Sequence, residues 1–239
     1  MQKGSEIKKN AKNANISREK NKNATPHIKI ENLGIRFNLR KNNKLKDFLL
    51  GHNKKDSFYA IRHIDLEMKS GEVIGLFGKN GSGKTTLLRT IAGIYSPDEG
   101  NISVQGKLSF FNIRPGFNND LDGISNIYLA MSLYGVDKKT TDRKIKEIIR
   151  FADIGEFINE QVRTYSTGMT ARLGFAIGIN VDADIILIDE TLSVGDKEFR
   201  KKCEEKIEEL MKKKNKIIII SGHDEEHILK YCNRTIKLT

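Results

Sequence analysis

The stretch Phe77-Gly78-Lys79-Asn80-Gly81-Ser82-Gly83-Lys84-Thr85-Thr86 constrains this chain more than any other. A short apolar run, Glu72 to Phe77, leads into it and reads as a buried parallel strand. Leu87 to Ala92 follows and reads as a helix. Between them, Gly78 to Thr85 fits the pattern G-x-x-x-x-G-K-[ST]. Phosphate oxygens need many donors at close range. Without Cβ atoms at Gly78, Gly81 and Gly83, the backbone can wrap a β-phosphate and aim its N–H groups inward. The helix N-terminus adds unpaired N–H groups and a favourable dipole. Lys84 can reach the β- and γ-phosphates, and the Thr85 hydroxyl can ligate Mg²⁺. The stretch from Gly78 through Lys79, Asn80, Gly81, Ser82, Gly83, Lys84 and Thr85 to Thr86 is therefore expected to bind a nucleotide.

A P-loop strand holds magnesium well only with an acid at the end of a neighbouring apolar strand. Ile185-Ile186-Leu187-Ile188 followed by Asp189 has that form. Asp189 is expected at Mg²⁺ through water, and Glu190 is placed to orient or polarise the attacking water. Tyr165-Ser166-Thr167-Gly168-Met169 is a Ser-x-Gly turn opening a helix, weak alone but strong shortly before an Asp-Glu strand. Ser193-Val194-Gly195-Asp196 follows Glu190. His223 ends the apolar run Ile217 to Ile220, where an imidazole can reach a γ-phosphate. Glu190, His223 and Lys84 are the expected catalytic groups. His27, His52, His63 and His227 have no such context and read as surface or structural.

At 239 residues the chain is long enough for one α/β domain with a subdomain. Cys203 and Cys232 stand far apart and read as reduced cytosolic thiols. No apolar run approaches a membrane span and no signal peptide opens the chain, so work at a membrane would use another chain's spans. The net charge is +11. Much of it lies in residues 1 to 23, so residues 1–26 read as a disordered basic tail, either simply solvated or weakly drawn to an anionic inner leaflet. Strands are expected at His27 to Leu33 (extended by Ile35 to Leu39), Phe58 to Ile61, Ile64 to Met68, Ile102 to Val104 and Leu108 to Phe111. Lys44 to Leu50 reads as a short amphipathic piece. Helices are expected at Gly123 to Tyr134, at Thr140 to Ala152 with Thr140 or Thr141 as cap, at Ser166 to Ile179 and at Lys197 to Lys213.

In this order the pieces resemble the ATP-binding subunits of ABC transporters, over nearly everything from His27 to Thr239. Lys84 and Thr85 match Walker A, Tyr165 to Met169 the signature, and Asp189 with Glu190 Walker B and its catalytic glutamate. Ser193 to Asp196 match the D-loop and His223 the switch histidine. The resemblance implies a P-loop α/β fold with a parallel core sheet, an N-terminal antiparallel β-subdomain and a helical subdomain at about 113–175. It implies ATP and Mg²⁺ as cofactors and a head-to-tail homodimer, in which Ser166, Thr167, Gly168 and Met169 serve the partner's nucleotide. It also implies an integral-membrane permease, expected in two copies, and a peripheral position at the cytoplasmic face of the cell membrane. Adenine would stack on Phe37 or on Tyr59. A narrower resemblance, to polysaccharide exporters, rests on Lys44 to Leu50 with Phe58 to Ile61 and on Gly116 to Ile127; Phe151 to Ile158, then Tyr165 to Met169 with Arg172 to Ile177, is especially similar to teichoic-acid exporters, and Ser193 to Asp196 also fits that branch.

Several positions depart from the general pattern. Asn112 or a neighbour stands where most members have the Q-loop glutamine. Thr167 and Met169 replace a glycine and a glutamine of the signature, Gly222 replaces the serine before the switch histidine, and Thr191 follows Glu190. The long carbohydrate-binding extension of some relatives is not seen after Thr239, which would leave substrate choice to the membrane subunit. Arg114 to Asn126 reads as a jointed loop that contacts a partner, with Phe117 and Leu121 entering a groove or packing into the local core. The alternatives are an ABC transporter subunit for another substrate, or a non-transport ABC ATPase acting on nucleic acid or ribosomes, which the +11 charge would suit. Relatives of the latter kind usually carry two ATPase units or a long coiled coil between Walker A and Walker B; this chain has neither, so nucleic acid is not an expected partner. Glu190 and His223 argue against a regulatory module without turnover.

Overall fold

The computed structural model describes residues 15–19, 25–38, 57–111, 116–189, 196–222, 226 and 229–238. Its strands are β1 Asn15–Glu19, β2 His27–Asn38, β3 Ser57–Lys69, β4 Val73–Phe77, β5 Glu99–Gln105, β6 Leu108–Phe111, β7 Ile185–Asp189, β8 Ile217–Ser221 and β9 Arg234–Lys237. The helices are α1 Lys84–Ile91, α2 Gly123–Leu133, α3 Lys138–Ala152, α4 Thr167–Asn180 and α5 Lys197–Met211, with short 3₁₀ turns at Gly155–Asn159 and Val162–Thr164. The strands form a parallel sheet of order β6-β7-β8-β4-β9 and a second sheet of order β1-β5-β2-β3. In the second sheet β2 is antiparallel to both β3 and β5.

The parallel sheet is buried on both faces, which is why β7 and β8 read as unbroken apolar runs. Successive side chains point to opposite faces. Ile186 and Ile188 of β7, with Ile218 and Ile220 of β8, join a core shared with α2 to α5. Ile185, Leu187, Ile217 and Ile219 join the other core, shared with α1 and the antiparallel sheet. The α1 face is built from Leu87, Leu88 and Ile91, all fully buried.

Four helices are capped by side chains that take a free N–H of the first turn. Asp122 accepts from Ser125 N at 2.7 Å, Asp137 from Thr140 N at 2.9 Å, Ser166 from Met169 N at 3.1 Å and Asp196 from Phe199 N at 2.9 Å. The α3 cap is thus Asp137 rather than Thr140 or Thr141, and the helix starts earlier than the sequence suggests. A carboxylate binds the helix N-terminus better than a hydroxyl, and Thr140 supplies the N–H.

Other expectations are corrected in detail. Within the segment expected to be disordered, Asn15–Glu19 pair in parallel with β5, Ile16 packs at the edge of the core, and Arg18 donates to the carbonyl of Ala92 at the end of α1. The two runs read as Phe58 to Ile61 and Ile64 to Met68 form one strand, β3. The neighbours β5 and β6 belong to different sheets. The amphipathic piece at Lys44 to Leu50 lies outside the described residues. Cys203 is buried and Cys232 half-buried, and both are free thiols. No described helix is long and apolar enough to cross a membrane.

Candidate nucleotide-binding site

The chain turns from β4 into α1 through Gly78 to Gly83. Two glycines here are sterically required. A Cβ on Gly78 would run into the Ser82 side chain and lie 2.6 Å from the carbonyl oxygen of Leu238; one on Gly83 would lie 2.5 Å from the carbonyl oxygen of Ala60. The loop is thus hemmed in by β3 on one side and the end of β9 on the other. Ser82 N donates to Lys79 O at 3.0 Å, and Leu87 N makes an early α1 bond to Gly83 O at 2.8 Å.

Lys84 is 8 % exposed. Its ammonium folds back over the loop, donating to Gly78 O at 2.7 Å and Lys79 O at 3.4 Å. Among the described residues no carboxylate pairs with it. The Ser82 hydroxyl is buried and has no hydrogen-bond partner among the described residues. A buried cation held only by carbonyls, beside an orphaned hydroxyl at a helix N-terminus, is chemistry that suits an anion. The phosphates of ATP fit this cradle.

The second half of the site comes from β7 and β8. Thr85 Oγ1 donates to Asp189 Oδ1 at 3.2 Å, and Ser221 Oγ donates to the same oxygen at 2.6 Å. Asp189 and Ser221 face each other in the parallel register of β7 and β8. The structure therefore brings Thr85 and Asp189 together and adds Ser221, which sequence reasoning missed. The available signal was its place at the end of an apolar strand; the register that aims it at Asp189 is not local information. Hard oxygen donors of this kind suit Mg²⁺.

Glu190, His223, Asn112 and Ser193 to Gly195 lie outside the described residues. Ser166 and Thr167 are exposed at the start of α4, and a Cβ on Gly168 would meet only the Ser166 hydroxyl, at 3.8 Å. Among the described residues no hydrogen bond joins Ser166–Met169 to the P-loop. Asp196 caps α5 and is ion-paired with Arg172.

The two candidate adenine platforms differ in setting. Phe37 packs against Phe58 at 5.9 Å and edge-on to Tyr95 at 5.5 Å between ring centroids. Tyr59 donates its hydroxyl to Glu99 at 2.8 Å, and its ring carries the guanidinium groups of Arg36 and Arg62 at 4.7 and 5.2 Å. The hydrogen bond to Glu99, with some desolvation, raises the Tyr59 pKa. Tyr59 is adjacent in sequence to Ala60, which lies against Gly83.

The loop before α2 is closely built. Asn126, fully buried, donates to the carbonyls of Asn118, Leu121 and Asp122 at 3.0, 3.1 and 2.9 Å and accepts from Asn118 N at 2.8 Å. The same loop is fastened to residues just ahead of α4. Val162 N donates to Leu121 O and Arg163 N to Asn119 O, each at 3.0 Å, and Gln161 Nε2 to Asp120 O at 3.0 Å. Phe117 packs half-buried against the helical core, whereas Leu121 is 37 % exposed. Phe117 thus follows the core reading, and Leu121 does not.

Comparison with known proteins places this geometry. The family described as ABC transporter matches residues 61–193. The teichoic acids export ATP-binding protein TagH of Staphylococcus epidermidis is 42% identical over 209 residues, covering 87% of this chain and 79% of that protein. TagH of Bacillus cereus is 40% identical over 213 residues; the match covers 88% of this chain but only 39% of that longer protein. Among solved structures, a dimeric ATP-binding cassette in a post-hydrolysis state, bound to ADP and phosphate, superposes with a TM-score of 0.72. It shares 20% identity, over 89% of this chain and 94% of that one, a likeness of fold. The chain belongs to the ABC transporter family.

Proposed function

We propose that this cassette powers the export of a teichoic-acid-type polymer across the cell membrane, as a homodimer seated on the cytoplasmic face of a permease present in two copies. The observation that carries this reading is the 42% identity to a teichoic acids export ATP-binding protein over most of both chains. The sequence features at Gly116 to Ile127 and Tyr165 to Ile177 support the same branch.

Within the site, residues 78–86 bind the ATP phosphates, with the Lys84 ammonium turning from the loop carbonyls to the phosphate oxygens. Thr85 and Asp189 would hold Mg²⁺, which when bound offsets the charge on those oxygens. Ser221 keeps the Asp189 carboxylate oriented toward Thr85. Glu190 polarises the attacking water and His223 contacts the γ-phosphate. Ser166, Thr167, Gly168 and Met169 complete the partner's site, Asp196 closes the D-loop, and adenine stacks on Phe37 or Tyr59. The exposed Leu121 faces the permease from a loop fastened to the residues ahead of α4.

The test is expression of the full chain in a bacterium whose own teichoic acid export ATPase is depleted, together with its cognate permease. Restored wall polymer and copurification with the multi-span permease from detergent extracts are expected. Normal ATPase activity without either result would refute the exporter reading.

A further inference from the structure

Strand β1 reaches the P-loop helix from behind. It lies at the edge of its sheet, paired with β5 from Asn15↔Asn101 to Glu19↔Gln105. It brings one apolar side chain to the core, the half-buried Ile16, while Asn15, Ser17 and Arg18 are exposed. An edge strand held so lightly opens locally without unfolding the rest of the fold. Yet Arg18 extends from it to the far end of α1, 74 residues on, where Nη2 donates to the carbonyl of Ala92.

The end of α1 is closed in two ways. Gly93 is left-handed at φ 73, and the amides of Gly93 and Ile94 return to the carbonyls of Thr90 and Arg89 at 2.9 and 2.8 Å. The Ala92 carbonyl falls to Arg18, whose guanidinium lies so close over Gly93 that a Cβ there would stand 2.9 Å from its Cζ. The helix is only eight residues long, about 12 Å. Lys84 and Thr85 open it, and Thr90 Oγ1 donates to Thr86 O at 2.8 Å, tying the last turn to the first. The turn beyond Gly93 carries Tyr95, which accepts from Arg89 at 3.0 Å and stands edge-on to Phe37, one of the two candidate adenine platforms. A cation over the last carbonyls offsets the negative end of the helix dipole, and so favours the helix whose amino end faces the phosphates.

We propose, on the reading that residues 78–86 bind the ATP phosphates, that Arg18 is a positioning residue for ATP binding: β1 is a strap whose docking on β5 caps α1 from behind, so that strap docking and ATP binding favour each other. Arg18 touches neither nucleotide nor metal. It acts through the Ala92 carbonyl on the helix that presents Lys84 and Thr85. A charged cap of this kind shifts an equilibrium by about two- to fivefold. Linkage makes the factor reciprocal: ATP must tighten the strap by as much as the strap tightens ATP.

The experiment compares the full chain with Arg18→Met, Arg18→Lys, Lys84→Ala and a form lacking residues 1–19. Calorimetry gives the Kd for ATP in EDTA, which prevents turnover, and steady-state assays with Mg²⁺ give kcat and KM. Amide exchange of residues 15–19 is followed by mass spectrometry with and without ATP in EDTA. Loss of the strap, or Arg18→Met, should raise Kd and KM about two- to fivefold with kcat unchanged. Saturating ATP should slow exchange in β1 of the parent by that same factor. Arg18→Lys should keep most of both effects, whereas the slowing by ATP should vanish in Arg18→Met and in Lys84→Ala. A cap that served only the fold would lower the melting temperature and leave exchange in β1 indifferent to ATP. Such indifference in the parent overturns the proposal, as does an Arg18→Met chain that binds ATP like the parent; if the shortened form does not fold, Arg18→Met decides. A parent that fails to bind ATP refutes the phosphate-binding reading and the linkage with it, whereas normal binding by both parent and Arg18→Met refutes the linkage alone.

Discussion

Alanine at two glycines of the P-loop should separate backbone cost from steric cost. Gly81 and Gly83 have similar left-handed φ values, 85 and 93. Their surroundings differ. A Cβ at Gly81 would meet nothing within 4 Å; one at Gly83 would lie 2.5 Å from Ala60 O and 3.1 Å from Ile61 Cγ1. A non-glycine residue in this region costs about 1–2 kcal/mol. Stiffening the unfolded chain returns about 0.4–1 kcal/mol of that. Gly81→Ala should therefore cost about 1 kcal/mol. Gly83→Ala adds an overpacking term of about 1–3 kcal/mol, because β3 carbonyl and helix start must part, for a total near 3 kcal/mol. At about 2–4 °C per kcal/mol for a chain of this size, the melting temperature should fall by about 3 °C for Gly81→Ala and about 10 °C for Gly83→Ala. Differential scanning calorimetry without nucleotide reads both. Equal losses, or a larger loss for Gly81→Ala, would refute the claim that β3 closes the loop at Gly83.

Lys84→Ala should abolish tight ATP binding, by about a hundredfold or more in titration calorimetry, while the fold survives, since it removes the charge facing the phosphates. Glu190→Gln should bind ATP, stop turnover and trap a dimer on size exclusion, and mixing Lys84→Ala with Ser166→Arg chains should recover partial ATPase through one intact composite site; full turnover by isolated monomers would exclude that arrangement. Leu121→Ser should leave basal ATPase unchanged and lower polymer delivery to the cell surface, whereas Phe117→Ser, which uncovers the helical core, should also lower the melting temperature. The backbone N–H and hydroxyl of Thr140 hold the Asp137 carboxyl below its ordinary value of 3.8. A depressed folded pKa adds stability above the unfolded value that is lost as pH falls through the folded one, so Asp137→Asn, still a cap, should flatten that part of the acid limb; identical limbs would argue against this cap.

What was legible in the sequence is what is local. The P-loop is a run of adjacent residues whose strand and helix flank it directly. Strands β7 and β8 showed themselves because burial on both faces leaves no polar alternation. The pairing of elements was less legible. β9 reads Arg-Thr-Ile-Lys, with Arg234 and Ile236 half-buried, Thr235 and Lys237 exposed, and among the described residues pairs only with β4. Nothing local distinguishes it from a polar tail. β1 is five residues at the rim of the other sheet, held by β5 and by Arg18 at the end of α1. β5 and β6 sit two residues apart in sequence yet join different sheets, a choice made by tertiary packing. The same limit applies in the site: motif spacing gave Lys84, Thr85 and Asp189, but Ser221 follows from strand register and Arg172 from the meeting of three helices.

The helical layer gives the signature helix a handle on either side. Ahead of Ser166, residues 161–163 are hydrogen-bonded to the loop at 119–121, and the buried Asn126 keeps that loop from yielding on its own. Beyond Ser166, Arg172 joins α4 to the ends of α3 and α5. Close-packed interiors shift between discrete arrangements rather than deforming smoothly. In the proposed exporter a displacement at Leu121 would therefore be passed toward Ser166 through the intervening short 3₁₀ turn. The Arg172 guanidinium in turn ties α4 to Asp196. In that exporter, permease contact and engagement of the partner's nucleotide would then share one mechanical element. Loosening either handle should weaken coupling before it weakens ATP binding, because Lys84, Thr85 and Asp189 are held by β4, α1, β7 and β8, outside that element.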